Sequence, residues 1–181
     1  RCHVRHDCGA EAMRLAEQID KRIRKRFPFL LTEDQEKVIG EIVSDMSQAV
    51  PMNRLLQGDV GSGKTVVALY AALLAVANGK QVAIMAPTEV LANQHFISIE
   101  RYLKGSRVRR ALITGGMTGL KRKELLAEVR RGQIDIVVGT VALLQSDIEF
   151  KDLGFVVIDE QHKFGVEQRG KLRQKVRPHC L

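Results

Sequence analysis

Gly58-Asp59-Val60-Gly61-Ser62-Gly63-Lys64-Thr65 fits G-x-x-x-x-G-K-[ST] without gap or substitution. A short apolar run, Leu55-Leu56, precedes it, and a helical pattern from Val66 to Ala77 follows. That strand–loop–helix context is what gives the motif its meaning. A phosphate chain needs several N–H donors aimed at one place, and glycines let the backbone curl with no Cβ in the way. The curl ends at a helix N-terminus, where unpaired N–H groups and the dipole favour an anion. Lys64 can reach the β- and γ-phosphates, and Thr65 can offer its hydroxyl to Mg²⁺. The competing reading is a glycine-rich turn followed by an ordinary surface lysine.

The 181 residues suffice for one domain with a proper core, and 45% hydrophobic with 28% charged residues is an ordinary globular mix. No apolar run approaches a membrane span, and the charged opening Arg1–Asp7 is unlike a signal peptide. Three cysteines, an odd number, argue against a disulfide framework and point to a reducing, cytoplasmic setting. The net charge of +8 suits a polyanionic partner but also many domains without one. Aromatics make up only 4%, which disfavours stacked-base platforms, so nucleic acid would be held by its backbone.

Cys2, His3, His6 and Cys8 are all ligand types, but their spacing fits no usual zinc pattern, and a flexible terminus is the plainer reading. The spacing of Met13, Ala16, Ile19 and Ile23 predicts a helix over Ala10–Arg26, with Asp7 as a possible cap and Pro28 closing it. Lys21, Arg22, Arg24, Lys25 and Arg26 crowd its end, as a solvated face or a DNA-backbone contact. A second helix starts at Thr32, where Thr32 and Gln35 form a T-x-x-Q capping box. From Arg54 the pattern alternates. Strands are predicted at Arg54–Gln57, Gln81–Ala86, Val108–Thr114, Ile134–Val138 and Phe155–Asp159. Helices are predicted at Lys64–Asn78, Glu89–Leu103, Leu120–Arg131 and Val166–Gln174. The near-continuous apolar strands imply a mainly parallel sheet covered on both faces, a three-layer α/β/α architecture. Parallel strands put their C-terminal ends on one edge, where ligands of open α/β sheets bind. Gly58–Thr65, Pro87–Glu89, Gly115–Gly116, Gly139–Thr140 and Asp159–His162 all fall there.

Phe155-Val156-Val157-Ile158-Asp159-Glu160 is an apolar strand ending in two acids. After a phosphate loop, Asp159 is placed to serve the nucleotide's Mg²⁺, usually through water, and Glu160 to orient and deprotonate an attacking water. The alternative is an acidic helix cap after a buried strand.

Together, Gly58–Thr65, Ala86-Pro87-Thr88-Glu89 with Gln94-His95, Val138-Gly139-Thr140, and Asp159-Glu160-Gln161-His162 followed by Phe164-Gly165-Val166 resemble the superfamily-two helicases. The likeness is strongest to the RecG-type branch, with the transcription-repair coupling translocases as cousins, and it runs from about Phe27 to the C-terminus. It implies a RecA-like P-loop NTPase domain over 29–181 behind a helical lead-in, 1–28. The implied activity is that of an ATP-dependent DNA helicase or translocase. Its substrate would be branched DNA, stalled forks and Holliday junctions, in recombination and repair. Phe29-Leu30-Leu31-Thr32 leading to Gln35 resembles the family's adenine-reading motif, so Gln35 is expected to select ATP as well as cap its helix. Pro87, Thr88, Glu89, Gly115, Gly116, Gly139 and Thr140 resemble segments that grip a DNA strand without reading bases, with turn and cap roles as alternatives. His162 is expected to couple the nucleotide site to the DNA surface, and Gln161 to sit at the domain interface. The expected partners are DNA, a second RecA-like domain and a wedge domain of the parent chain, with no membrane and a monomeric state.

Lys163 stands where that branch commonly carries arginine, keeping the charge. The sequence ends at Leu181, where the next helicase motif would begin, so the arginine finger of a second motor domain is expected to be missing. Such a loss costs about 10³–10⁵ in turnover where tested, so a nucleotide-binding half-motor, nearly inactive as an ATPase, is expected. Two rival readings stay open: a phosphate-loop GTPase or small-molecule kinase, and a non-enzymatic nucleic-acid-binding module. No N-K-x-D guanine signature occurs.

Overall fold

In the computed structural model, residues 10–59, 61–160 and 179–181 are described. The Cys2/His3/His6/Cys8 cluster, the Asp7 cap, Val60, Gln161, His162, Lys163, Phe164-Gly165-Val166 and the helix expected at Val166–Gln174 lie outside those residues. The elements run α1 (Glu17–Arg24), α2 (Glu33–Met46), α3 (Lys64–Ala77), β1 (Gln81–Met85), α4 (Glu89–Tyr102), β2 (Arg110–Ile113), α5 (Gly119–Arg130), β3 (Ile136–Gly139), a 3-10 turn (Val141–Leu144), β4 (Leu153–Ile158) and β5 (His179–Cys180).

Among the described residues the strands form one sheet in the order β2-β3-β1-β4-β5, and every pairing is parallel. β1 is central because its side chains are apolar on both faces. Val82, Ile84 and Ala86 join a core with α1, α2, α3 and α4 on one side. Ala83 and Met85 join a second core with Val129 of α5 and Leu143 of the 3-10 turn on the other. Strand period two thus places alternate residues in two separate cores, giving the expected three layers. α3 is buried nearly all round, from Val66 to Ala75, and serves as a rigid mount for the loop before it. None of the described helices is long and apolar enough to cross a membrane.

Two sequence expectations are corrected. Arg54–Gln57 is not a strand. Among the described residues its pairing with β5 is a single parallel bridge between Asn53 and Cys180, made by Cys180 N donating to Met52 O (2.8 Å) and Arg54 N donating to Cys180 O (3.1 Å). Beyond it Leu55 is exposed, while the Arg54 side chain turns to Asp45 and Glu41. The helix expected over Ala10–Arg26 forms only at Glu17–Arg24. Upstream, the backbone is committed elsewhere: Met13 N donates to Met46 O (2.8 Å) and Arg14 N to Asn78 Oδ1 (3.0 Å). Met13 is buried as its apolar character demands, but in an extended segment clipped to the ends of α2 and α3. β5 and the 3-10 turn are additions that periodicity did not indicate.

α1 shares the main core through Ile23, and the following Phe27 joins it. Its basic run is divided. Arg24 bonds both Asp20 oxygens at 2.8 Å and reaches Glu36 of α2, and the Tyr70 hydroxyl of α3 donates to Asp20. Lys21 pairs with Glu17. Arg24 therefore ties three helices together rather than standing free on a solvated face.

His179 anchors β5 from inside. Its Nδ1 accepts from Met52 N at 3.0 Å, so that nitrogen carries no proton, and Nε2 faces the Glu11 carbonyl at 3.4 Å. Burial pushes its pKa below the ordinary value. The folded state therefore binds fewer protons than the unfolded chain, and this contribution is fully present above about pH 6.5 and is lost as pH falls. Urea midpoints measured at about pH 7 and about pH 5 are expected to fall more steeply for the wild type than for His179→Gln, which has no ring to protonate.

Candidate nucleotide-binding site

The loop before α3 is shaped by its glycines. Gly61 (φ +85°) and Gly63 (φ +80°) lie in the left-handed region, where an L side chain is strained. Ser62 N donates to Asp59 O (3.1 Å), closing the curl, and the Gly63 carbonyl accepts from Val66 N (2.9 Å) to start α3. A Cβ at Gly63 would stand 2.1 Å from Gln35 Nε2, and one at Gly58 would stand 2.7 Å from Ser62 Oγ. Lys64 Nζ donates to Gly58 O (2.6 Å) and Asp59 O (2.8 Å). An ammonium has three donors, so one remains for an anion at the loop. Thr65 is exposed at the first turn of α3.

The acidic tip is set by the sheet. Asp159 N donates to Met85 O (2.9 Å), extending the β1–β4 ladder one residue beyond β4. Its Oδ2 lies 2.7 Å from His95 Nε2 on α4. The hydrogen bond from His95 is the largest influence holding the Asp159 carboxyl below the usual range. Partial burial opposes it, and the charge of Lys64 adds to the lowering. The loop lysine and the strand-tip aspartate therefore share one field at one edge of the sheet. Glu160 follows with φ +51°, a left-handed conformation unusual for a non-glycine residue, and its side chain is exposed.

Gln35 completes the capping box: its Oε1 accepts from Thr32 N (3.0 Å) and its N–H donates to Thr32 Oγ1 (3.3 Å). Its Nε2 also donates to Ser62 O (3.2 Å), which joins α2 to the phosphate loop. Thr88 caps α4 through Leu91 N, and Glu89 Oε1 accepts from Gly116 N (3.3 Å). Thr88, Glu89, Gly115 and Gly116 are exposed, with Pro87 half-buried beside them. Gly139 and Thr140 have structural tasks: a Cβ at Gly139 would meet Ile113 O at 2.4 Å, and the buried Thr140 hydroxyl caps the 3-10 turn. The edge thus gathers Gln35, Gly58–Asp59, Gly61–Thr65 and Asp159, while Val60 and His162 lie outside the described residues.

The residue that site reasoning missed is His95. It falls within the Gln94-His95 motif, and nothing in the residues around it announces a partner 64 positions away. Among the described residues no three His, Cys, Asp or Glu side chains converge as a self-sufficient metal site. An exposed threonine hydroxyl at the loop and a carboxylate at the strand tip instead suit a hard cation that arrives on phosphate oxygens and keeps waters.

A glycine cradle at a helix N-terminus, its lysine, and an acidic strand tip on one edge of a parallel sheet define a P-loop nucleotide-binding domain of RecA-like build. The family model for the DEAD/DEAH box helicase matches residues 32–179, and the chain belongs to that family. It is 49% identical over 175 residues to the ATP-dependent DNA helicase RecG of Aquifex aeolicus strain VF5, covering 95% of this chain and 22% of that protein. It is 53% identical over 154 residues to the RecG of Bacillus subtilis strain 168, covering 85% of this chain and 23% of that protein. A solved structure of RecG bound to a three-way DNA junction superposes with a TM-score of 0.82 at 40% identity, over 95% of this chain and 23% of that one. The chain therefore spans under a quarter of the length of these relatives.

Gly63→Ala is expected to lower stability by about 1–2 kcal/mol through its left-handed backbone, read from urea unfolding. The same variant should weaken nucleotide binding as its methyl displaces Gln35.

Proposed function

We propose that the chain is the ATP-binding motor domain of a RecG-like ATP-dependent DNA helicase or translocase. The domain itself spans 29–181 behind the lead-in 1–28, and the motor works on branched DNA in recombination and repair. The observation that carries this reading is the glycine loop with Lys64 at the start of α3, set on the sheet edge where the β1–β4 ladder delivers Asp159 and Glu160. A triphosphate needs cationic and N–H donors at one end and a hard-oxygen partner for its cation at the other, and these two features support the reading.

In this reading the loop N–H groups of Gly58–Thr65 and the α3 N-terminus hold the phosphates, and Lys64 neutralises them with its remaining donor. Thr65 and Asp159 would hold Mg²⁺, which would supply screening of the phosphate charge that develops during transfer. Glu160 takes the proton of the attacking water from its exposed position beside Asp159 at the strand tip. Gln35 meets the adenine, and His162 links hydrolysis to the strand-gripping surface. Pro87, Thr88, Glu89, Gly115 and Gly116 supply that surface, through backbone phosphates rather than base edges, and the buried Gly139 and Thr140 contribute by shaping the loop after β3. The resemblance to RecG supports DNA as the track and a second RecA-like domain and a wedge domain as partners within a longer chain.

Lys64→Ala is expected to abolish binding of a fluorescent ATP analogue to this chain, measured by anisotropy. Retained affinity would remove the nucleotide reading, and a preference for GTP over ATP in competition would move the chain to a different phosphate-loop class. In a full-length helicase containing this domain, Glu160→Gln should slow hydrolysis by about 10²–10⁴-fold while sparing ATP binding. Unaltered turnover would remove Glu160 from its role.

A further inference from the structure

The helix α4 touches both halves of the sheet edge. Its first turn carries Glu89, whose Oε1 accepts from Gly116 N in the loop after β2 (3.3 Å). Further along, His95 puts its Nε2 2.7 Å from Asp159 Oδ2. Between and beyond them, Ala92 and Ile99 are buried and hold the helix against the sheet. The His95 side chain is 21% exposed and that of Asp159 36%, so the contact is sheltered without being sealed. An ionised carboxylate can only accept, so the hydrogen in this bond belongs to His95 Nε2. The Asp159 carboxylate also takes a bond from the Glu160 backbone. Two contacts leave lone pairs on its oxygens for a further partner.

A latch between α4 and β4 would be served equally by an apolar pair, which would avoid desolvating a carboxylate. The polar choice acquires a purpose when the carboxylate must present one particular oxygen in one orientation. Groups that hydrogen-bond a metal-serving carboxylate from behind fix that orientation, and their loss typically weakens metal binding by about 10–100-fold.

We propose that His95 is a positioning residue for the motor reaction. Its Nε2–H fixes the Asp159 carboxylate in the orientation that serves the nucleotide-borne divalent cation, and through α4 it ties that carboxylate to the loop at Gly116. The proposal rests on the reading of Asp159 given above. It makes α4 the physical link between the candidate strand-gripping segment and the cation site, within this one domain.

The test is a Mg²⁺ titration of fluorescent ATP-analogue binding to this chain, with metal-free affinity measured in EDTA. His95→Ala should raise the Mg²⁺ concentration for half-maximal tightening by about tenfold or more, leaving the EDTA affinity and the circular-dichroism spectrum unchanged. His95→Gln, whose amide nitrogen can reach the same oxygen and donate, should restore most of the response. His95→Asn, too short to reach it, should behave as the alanine variant does and replaces that variant if His95→Ala fails to fold. An unmoved Mg²⁺ midpoint in His95→Ala or His95→Asn overturns the proposal, as does a glutamine variant no better than alanine. Asp159→Asn separates the two layers. If it loses the Mg²⁺ response while the His95 variants keep it, only the role of His95 falls. If it keeps the response, the reading of Asp159 falls and the proposal with it.

Discussion

The hydrogen bond from Asp159 N to Met85 O is the constraint on which the site depends. It is the last rung of the parallel ladder between β1 and β4, whose register pairs Met85 with Ile158. A slip of one residue would turn Val156 and Val157 to the wrong cores. Because both faces of β4 are packed, the register has no alternative, and the aspartate emerges at the edge with no freedom of placement. The same edge receives the start of α3, held from the other side by the core around Leu69, Tyr70 and Leu74. Neither charged group is placed by attraction to the other. Packing of apolar residues far from the site brings them into one field.

The opposite edge of the sheet shows how such rigidity is secured. Gln81 is buried at the start of β1, and all its polar atoms are satisfied. Nε2 donates to Val129 O and Ile134 O, and Oε1 accepts from Lys151 N and Asp152 N. One side chain thereby closes the ends of α5 and the approaches to β3 and β4. A buried amide left unpaired would cost more than its bonds contribute, so full satisfaction is the condition for having it there. With one edge fixed in this way and the glycine loop fixed by its own backbone, the exposed parts at the ligand edge include Thr65, Thr88, Glu89, Gly115, Gly116 and Glu160. Those are the side chains and loops that a ligand could meet.

How legible all this was from sequence depended on distance along the chain. Gly58–Thr65 and Phe155–Glu160 could be read because each signature lies within one short stretch and needs no knowledge of its neighbours. The parallel sheet followed from apolar runs such as Val82–Met85, which leave no polar face. Met13 was misread because its spacing with Ala16 and Ile19 fits a helix, yet tertiary hydrogen bonds to Met46 and Asn78 hold it extended. Arg54–Gln57 was misread because a strand needs a partner ladder, and among the described residues the pairing stops at the Asn53–Cys180 bridge while the Arg54 side chain is drawn to Asp45 and Glu41. His95 could not be found for a related reason. A histidine on a helix face has no periodic signature, and its bond to Asp159 exists only once α4 and β4 are packed side by side. The left-handed backbone at Glu160 is likewise invisible in residue type. Such strain persists only where surrounding structure over-determines it, and it gathers at functional sites.

Gln35 shows how one side chain has room for the two uses expected of it, capping its own helix and recognising a base. A primary amide offers two lone pairs on Oε1 and two hydrogens on Nε2. The capping box takes one lone pair, through Thr32 N, and the bond to Ser62 O takes one hydrogen. One acceptor and one donor remain, which is the pattern an adenine edge requires. The bonds already made do more than leave room. They fix the amide plane and its O/N orientation against the loop that would carry the phosphates, so little rotamer entropy is left to lose on binding. The capping box therefore supplies the preorganisation on which base reading by the same residue would rely.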